Sequence, residues 1–232
     1  ELVPAPVGCQ QPFMEAITDS AIREEMQEAT TIFRVLVTTL LKAGIITERT
    51  TPVYAADHVR MGIGGQLRTI DTAFRRFESF PELKDKPIII GESDPDGCAA
   101  CQGPNLAYRN TTLYSSYTAA AFARKHLLAE KHGVNLEGAT TWAFEFEDQP
   151  YFAGFRVMAT NGLTLPVFNV HRMMAKMTGV RVESTSSGDA GVEAIIQSGV
   201  RGAPDVAALA SLDPAKRQLA VLVWHYHDDD VP

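Results

Sequence analysis

One glutamate follows a short apolar run near the middle of the sequence. Three isoleucines (88–90) lead into Gly91, Glu92 comes next, and a loop of turn-forming residues follows. Uninterrupted short apolar runs are typical of strands that are buried on both faces of a parallel sheet. A carboxylate at the end of such a strand can act as a nucleophile or as a general acid or base. An ordinary solvated strand end is the alternative interpretation.

A second group of residues suited to chemistry lies in the segment GATTWAFEF. Trp142, Phe144 and Phe146 alternate with Ala143 and Glu145. They are either aromatic residues of the core on one sheet face or a platform on which the apolar face of a sugar stacks. Polar groups that suit sugar hydroxyls lie at the same strand end: Glu145, Glu147, Asp148 and Gln149.

The three cysteines do not indicate a disulfide framework, because their number is odd. We interpret Cys98 and Cys101 as loop cysteines that could form a local disulfide; a metal or redox role is the alternative. We interpret residues 228–230, three aspartates, as a solvated turn rather than a metal site. The sequence thus predicts no metal and no cofactor.

The pattern of elements indicates an α/β fold. Helical periodicity is present at residues 13–43, 63–80, 106–132 and 165–177, and Gly133 is suited to end the third helix. Strands are expected at residues 87–91 and 138–146. Strand, loop and helix therefore occur twice in succession, which favours a parallel sheet with its site on the loops that follow the strands.

From residue 180 the pattern changes to short β-rich runs at 181–184, 192–197, 206–212 and 218–227. They suggest a segment of antiparallel β-sandwich. We therefore divide the chain into a helical N-terminal segment (1–57), an α/β segment (58–179) and a β-sandwich segment (180–232).

Three stretches give the chain a family resemblance: IIIGESDPDG, NTTLYSSYTAAAFAR and TWAFEFEDQPYFAGFRVMATNGLTLPVFNVHRMM. In this order and spacing they resemble the last βα units of family 39 glycoside hydrolases, the β-xylosidases and their relatives. The resemblance extends from about residue 58 to the C-terminus. It implies the C-terminal part of a TIM (β/α)₈ barrel, followed by part of a β-sandwich.

The resemblance also implies roles for five residues. Glu92 matches the nucleophile at the end of the seventh barrel strand, and Trp142 matches the eighth-strand tryptophan that lines the sugar subsite. Glu147 matches a carboxylate that binds sugar hydroxyls, with Glu145 as the alternative for that position. Phe155 is expected near the same rim.

The chain departs from the family pattern in one respect that concerns the reaction. A retaining glycosidase uses two carboxylates about 5–5.5 Å apart, and in this family the acid/base belongs to an Asn-Glu-Pro motif that this sequence lacks. A complete barrel also takes about 250 residues, so only a partial barrel is expected here. Helices within residues 13–43, or a second copy in a homo-oligomer, would then cover its open face.

These observations define two main hypotheses: a retaining hydrolase of β-xylosides or related pyranosides, and a carbohydrate-binding or inactive remnant of such an enzyme. A redox or metal protein that uses Cys98 and Cys101 is a third. The net charge of −7 and the lack of a basic cluster argue against nucleic-acid and membrane partners. Without a recognisable leader or a spanning apolar run, we expect a soluble protein that is cytoplasmic rather than secreted.

Overall fold

The computed structural model describes residues 52–55, 57–83, 85–98, 100–148 and 156–229. The chain divides into two units, Glu1–Glu48 and Arg49–Pro232, and the described residues all belong to the second. The helices predicted within residues 13–43 and the position of Phe155 therefore lie outside the described residues.

The described helices confirm most of the helical prediction. They are α1 (Ile63–Glu78), a 3₁₀-helix (Pro104–Asn110), α2 (Thr112–His132), α3 (Pro166–Met174) and α4 (Val192–Ser198). The helix predicted over 106–132 begins later, because the backbone is extended at Thr111, whose hydroxyl caps α2 by accepting from the Leu113 N–H. Gly133 ends α2 in the left-handed conformation, as predicted.

The strands in the described part of the chain form four small sheets. They are β1 (Val53–Ala55), β2 (His58–Arg60), β3 (Pro87–Ile90), β4 (Asn135–Ala139), β5 (Phe144–Glu145), β6 (Val157–Thr160), β7 (Leu163–Thr164), β8 (Val180–Val182), β9 (Asp205–Asp213) and β10 (Gln218–Tyr226). The pairs are β1–β2, β3–β4, the order β5–β6–β7 and the order β10–β9–β8.

The parallel pair β3–β4 determines where Glu92 lies. The predicted strand at 87–91 is confirmed as β3, which pairs with β4 in parallel and is linked to it through α2. The expectation that both of its faces are buried is wrong, because Ile89 is 61% exposed and Ile88 and Ile90 are only partly buried. The single strand predicted at 138–146 is wrong, since β4 ends at Ala139 and β5 begins at Phe144. The break has a polar cause: the Thr141 hydroxyl and the Trp142 N–H both donate to the carboxylate of Asp94 instead of continuing a ladder.

Two predictions for the C-terminal segment are also wrong. Residues 192–197 form α4 rather than a strand, and its Ile195 and Ile196 are buried in the core. Asp228 does not belong to a solvated turn, because it is buried and accepts hydrogen bonds from the Tyr226 hydroxyl and the Val200 N–H. The predicted strands at 181–184, 206–212 and 218–227 correspond to β8, β9 and β10.

Helix α2 runs through the centre of the core. It packs against α1, α3 and β10, and its alanine-rich middle section is buried. The opposite face of the β8–β9–β10 sheet is exposed and apolar; it presents Val180, Leu212, Leu219, Val221 and Val223. No helix within the described part of the chain combines the length and apolar character needed to cross a bilayer.

Candidate functional site

Glu92 follows β3 directly after Gly91, on the side of the sheet where the parallel strands end. Its side chain is 42% exposed. One carboxylate oxygen, Oε1, accepts a hydrogen bond of 2.8 Å from Nη1 of Arg156. The second oxygen is therefore the part of Glu92 that is suited to contact a ligand.

Arg156 connects Glu92 to the interior. It precedes β6, is fully buried, and donates to Asp94 Oδ2 and Asp96 Oδ1 at 3.0 Å each as well as to the Asp96 carbonyl. Burial on its own would lower the pKa of Arg156, but Asp94 and Asp96 outweigh it, so the pKa lies above the usual value. The guanidinium thus stays charged and fixes three carboxylates around one centre.

Asp94 and Glu92 accept hydrogen bonds from the same nitrogen of Arg156. Since both residues accept from the same nitrogen, at 2.8 and 3.0 Å, their two oxygens lie no farther apart than the sum of these distances. Asp94 is buried, and its oxygens also accept from the Tyr114 and Thr141 hydroxyls at 2.6 Å and from the Trp142 N–H at 2.7 Å. Four donors occupy its acceptor positions, which assigns it a structural role.

Asp96 extends this buried network away from Glu92. Its oxygens accept from the Tyr108 hydroxyl, from Arg109 at 2.6 Å and from the Cys98 N–H at 3.0 Å. Burial alone would raise the pKa of Asp96, but the charges of Arg156 and Arg109 outweigh it and hold the pKa below its usual range. Hydrogen bonds to buried side chains therefore hold the loop after β3 in place.

An aromatic surface lies beside this network. Trp142 and Phe144 are 43% and 49% exposed. The Trp142 ring meets Phe144 edge-on at 5.3 Å and lies nearly parallel to Phe146 at 6.4 Å. Because the backbone N–H of Trp142 donates to Asp94, which shares Arg156 with Glu92, the structure joins the main chain at Trp142 to the hydrogen-bonded cluster of Glu92.

The other predicted site residues are not joined to this cluster. Glu145 is exposed in β5, and no hydrogen bond to the described residues ties it to Glu92. Glu147 lies in the next turn, where it accepts from the Asn161 N–H at 2.9 Å and so braces the β6–β7 hairpin. Both remain candidates for contact with a ligand, while Phe155 lies outside the described residues.

Lys125 is a buried cation that approaches the site from α2. Its ammonium nitrogen contacts the hydroxyl of Ser93, the residue after Glu92, and lies 4.3 Å from the centre of the Phe122 ring. Burial lowers the pKa of Lys125 to about 7, although the nearby Asp94 opposes the shift. Its charge therefore changes near neutral pH, in contact with the residue that lies between Glu92 and Asp94 in the sequence.

Cys98 and Cys101 form a disulfide within the loop after β3. This agrees with the local disulfide considered from the sequence. Among the described residues, no group of three or more histidine, cysteine or acidic side chains is arranged to hold a metal ion.

Comparison of the chain with protein-family models, with curated proteins and with solved structures found no match.

Sequence reasoning missed the residues that hold Glu92 in place: Arg156, Asp94, Asp96, Arg109, Tyr108, Tyr114 and Lys125. A partial signal was present, because Glu92, Asp94 and Asp96 alternate in sequence and can converge on one cation. The cation itself is 64 residues away in sequence from Glu92, and nothing in its local pattern (FRV) distinguishes it from a surface arginine.

Proposed function

We propose that the protein is a retaining glycoside hydrolase for β-xylosides or related pyranosides, with Glu92 as its nucleophile and no cofactor. One observation supports this most. A half-exposed carboxylate at the end of a parallel strand is held by a buried arginine beside an exposed tryptophan. Three sequence segments resemble family 39 glycoside hydrolases, and this resemblance supports the same proposal. It implies a partial barrel for this chain.

In the proposed reaction, Glu92 forms a bond to the anomeric carbon as the bond between that carbon and the leaving group breaks, and an activated aryl leaving group departs as its anion without a proton. Water then hydrolyses the covalent glycosyl-enzyme. Arg156 fixes one oxygen of Glu92 and leaves the other directed at the sugar, which Trp142 and Phe144 hold by stacking against its C–H face. Asp94 is not the acid/base, since four donors already occupy its oxygens.

A 2-deoxy-2-fluoro xyloside with a dinitrophenyl leaving group tests the nucleophile. Its leaving group departs without help from an acid, so a retaining nucleophile accumulates as a covalent adduct. We expect a mass increase of one fluoroxylosyl group, mapped by peptide sequencing to Glu92 and absent in Glu92→Gln. Glu137→Gln, an exposed carboxylate on β4, is the matched control and should be labelled like the wild type. An unlabelled wild-type protein would refute the mechanism.

A carbohydrate-binding protein without turnover is the second candidate. The exposed aromatic surface favours it, because the surface is present whether or not an acid/base completes the site. Calorimetry with xylo-oligosaccharides would then show binding that Trp142→Ala weakens. An aryl xyloside would not be hydrolysed.

A further inference from the structure

The Cys98–Cys101 disulfide shapes the loop around one arginine. The carbonyl oxygens of both cysteines accept from Arg109, that of Cys98 at 2.5 Å and that of Cys101 at 2.9 Å. The disulfide joins the two residues that supply these carbonyls, and thereby keeps both on the same side of the loop. Arg109 is fully buried, so the two carbonyls replace water as its acceptors.

Arg109 in turn connects the disulfide to Glu92. It donates to Asp96 Oδ1 at 2.6 Å, the same oxygen that accepts from Arg156 at 3.0 Å. Arg156 then donates to Glu92. The Cys98 N–H supplies a second link, because it donates directly to Asp96 Oδ1 at 3.0 Å. Every group between the disulfide and Glu92 is buried, so a shift of the loop is transmitted instead of being absorbed by solvent.

We propose that the Cys98–Cys101 disulfide is a positioning device for Glu92, acting through Arg109, Asp96 and Arg156, so that reduction of the disulfide slows the reaction of Glu92. The proposal deepens the proposed function and rests on it for the reaction it affects. The disulfide itself contacts no substrate.

The reductant in this step is a dithiol. It gives two electrons and two protons to the Cys98–Cys101 bond, which becomes two thiols, while the dithiol closes to a cyclic disulfide. The bond is accessible, since Cys101 is exposed and Cys98 is partly exposed. Without the bond, the two carbonyls can separate, and Arg109 loses the fixed acceptors that hold it against Asp96.

The first measurement is the rate of covalent labelling by the fluoroxyloside, separated into the limiting rate and the half-saturating probe concentration. All proteins carry Cys9→Ser, so that Cys98 and Cys101 are the remaining thiols. Dithiothreitol should lower the limiting rate at least about tenfold, with little change in the half-saturating concentration, because the nucleophile and not the sugar platform is displaced. Reoxidation should restore the rate.

Cys98→Ser/Cys101→Ser is the matched variant. It should show the slow rate with and without dithiothreitol. An unchanged limiting rate after complete reduction, verified by a mass increase of two hydrogens, would overturn the proposal. So would a fast rate in the double variant.

Hydrogen exchange provides a readout that does not depend on catalysis. The N–H groups of Cys98 and Trp142 donate to Asp96 and Asp94, and their exchange should accelerate on reduction, whereas the β9–β10 amides should not change. If the oxidised protein is not labelled at all, the proposed function fails. Hydrogen exchange then still tests whether the disulfide is coupled to the network around Glu92. Equal exchange at Cys98 and Trp142 in both redox states refutes the coupling by itself.

Discussion

At the scale of single residues, the site depends on a balance of buried charge around Arg156. The guanidinium of Arg156 forms ion pairs with Glu92, Asp94 and Asp96. The carboxylates of Asp94 and Asp96 are themselves buried. Such an arrangement is stable only while all its members are present, because a buried carboxylate that loses its cation keeps the cost of desolvation and loses the attraction.

Arg156→Met should therefore be strongly destabilising. We expect the free energy of unfolding to fall by about 3–5 kcal/mol, because the substitution leaves Asp94 buried beside an uncharged side chain and leaves Asp96 paired with Arg109 alone. Urea denaturation followed by circular dichroism measures the change. Arg76→Met, at an exposed position of α1, is the control and should stay within about 0.5 kcal/mol of the wild type. Similar losses in both variants would contradict the role given to Arg156.

Lys125 predicts a dependence of stability on pH. Its pKa is about 7 in the folded protein and about 10.4 in an unfolded chain, so between these values the unfolded state binds more protons. Stability should then rise as pH increases from 7 to 10, and it should lose this contribution as pH falls toward 7. Lys125→Met removes the titrating group while keeping an apolar stem of similar length.

The measurement is the difference in unfolding free energy between Lys125→Met and the wild type, obtained from urea denaturation at several pH values. The stability advantage of the variant should be largest near pH 7, and it should shrink toward pH 10 because the cost of deprotonating Lys125 on folding falls as pH approaches the pKa of the unfolded chain. Parallel pH profiles would show that Lys125 does not titrate in this window.

At the scale of elements, periodicity predicted the long helices and failed where a tertiary contact decided the outcome. The apolar face of α1 and the triple isoleucine of β3 contain enough local information to define their elements. Residues 192–197 are too short for such a signal, and they form α4 because Ile195 and Ile196 are buried in the core as a helix. The break between β4 and β5 likewise depends on Asp94, which lies far away in sequence.

The contact between α1 and α4 predicts the effect of one substitution. A Cβ at Gly64 would lie 2.4 Å from the Ile195 carbonyl oxygen and close to the Gly199 backbone. Alanine normally favours a helix over glycine, yet Gly64→Ala should lower the unfolding free energy by about 1–3 kcal/mol, because the backbone of α4 must move. Thermal and urea denaturation measure the loss.

Gly202→Ala is the control for Gly64, since a Cβ there meets no atom within 4 Å. It should leave stability within about 0.5 kcal/mol of the wild type. A stabilised Gly64→Ala would mean that helix propensity outweighs the contact and that α1 and α4 do not approach this closely.

At the scale of the whole molecule, the sequence indicated where a site would be but not how it is built. Glu92 and Trp142 could be named as candidates from the sequence. A glutamate directly after an apolar strand and a tryptophan followed by several acidic residues are both uncommon local patterns. The network that holds them could not be predicted, because Arg156, Arg109 and Lys125 belong to three separate segments that only the fold brings together. The partial barrel expected from the family resemblance stays a prediction; the described residues contain one strand–helix–strand unit with parallel pairing, β3–α2–β4.

The exposed face of the β8–β9–β10 sheet predicts how the molecule behaves in solution. In the paired rows of this sheet, Leu212 lies between Val180 and Leu219, and Val221 and Val223 are exposed on the same face of β10. Exposed apolar side chains on neighbouring strands favour association, and two copies of one sheet face can meet across a two-fold axis. We therefore expect the weight-average mass in sedimentation equilibrium to rise with protein concentration.

Val221→Thr/Val223→Thr tests this expectation, because threonine keeps the shape of valine and the β propensity while adding a hydroxyl to each of two exposed positions. The association constant should fall at least about tenfold, since both copies lose apolar contact area. Ala215→Thr, in the turn between β9 and β10, is the control and should associate like the wild type. A wild-type mass that is independent of concentration would show that this face does not bind a second copy, and equal association of the double variant would place the contact elsewhere on the molecule.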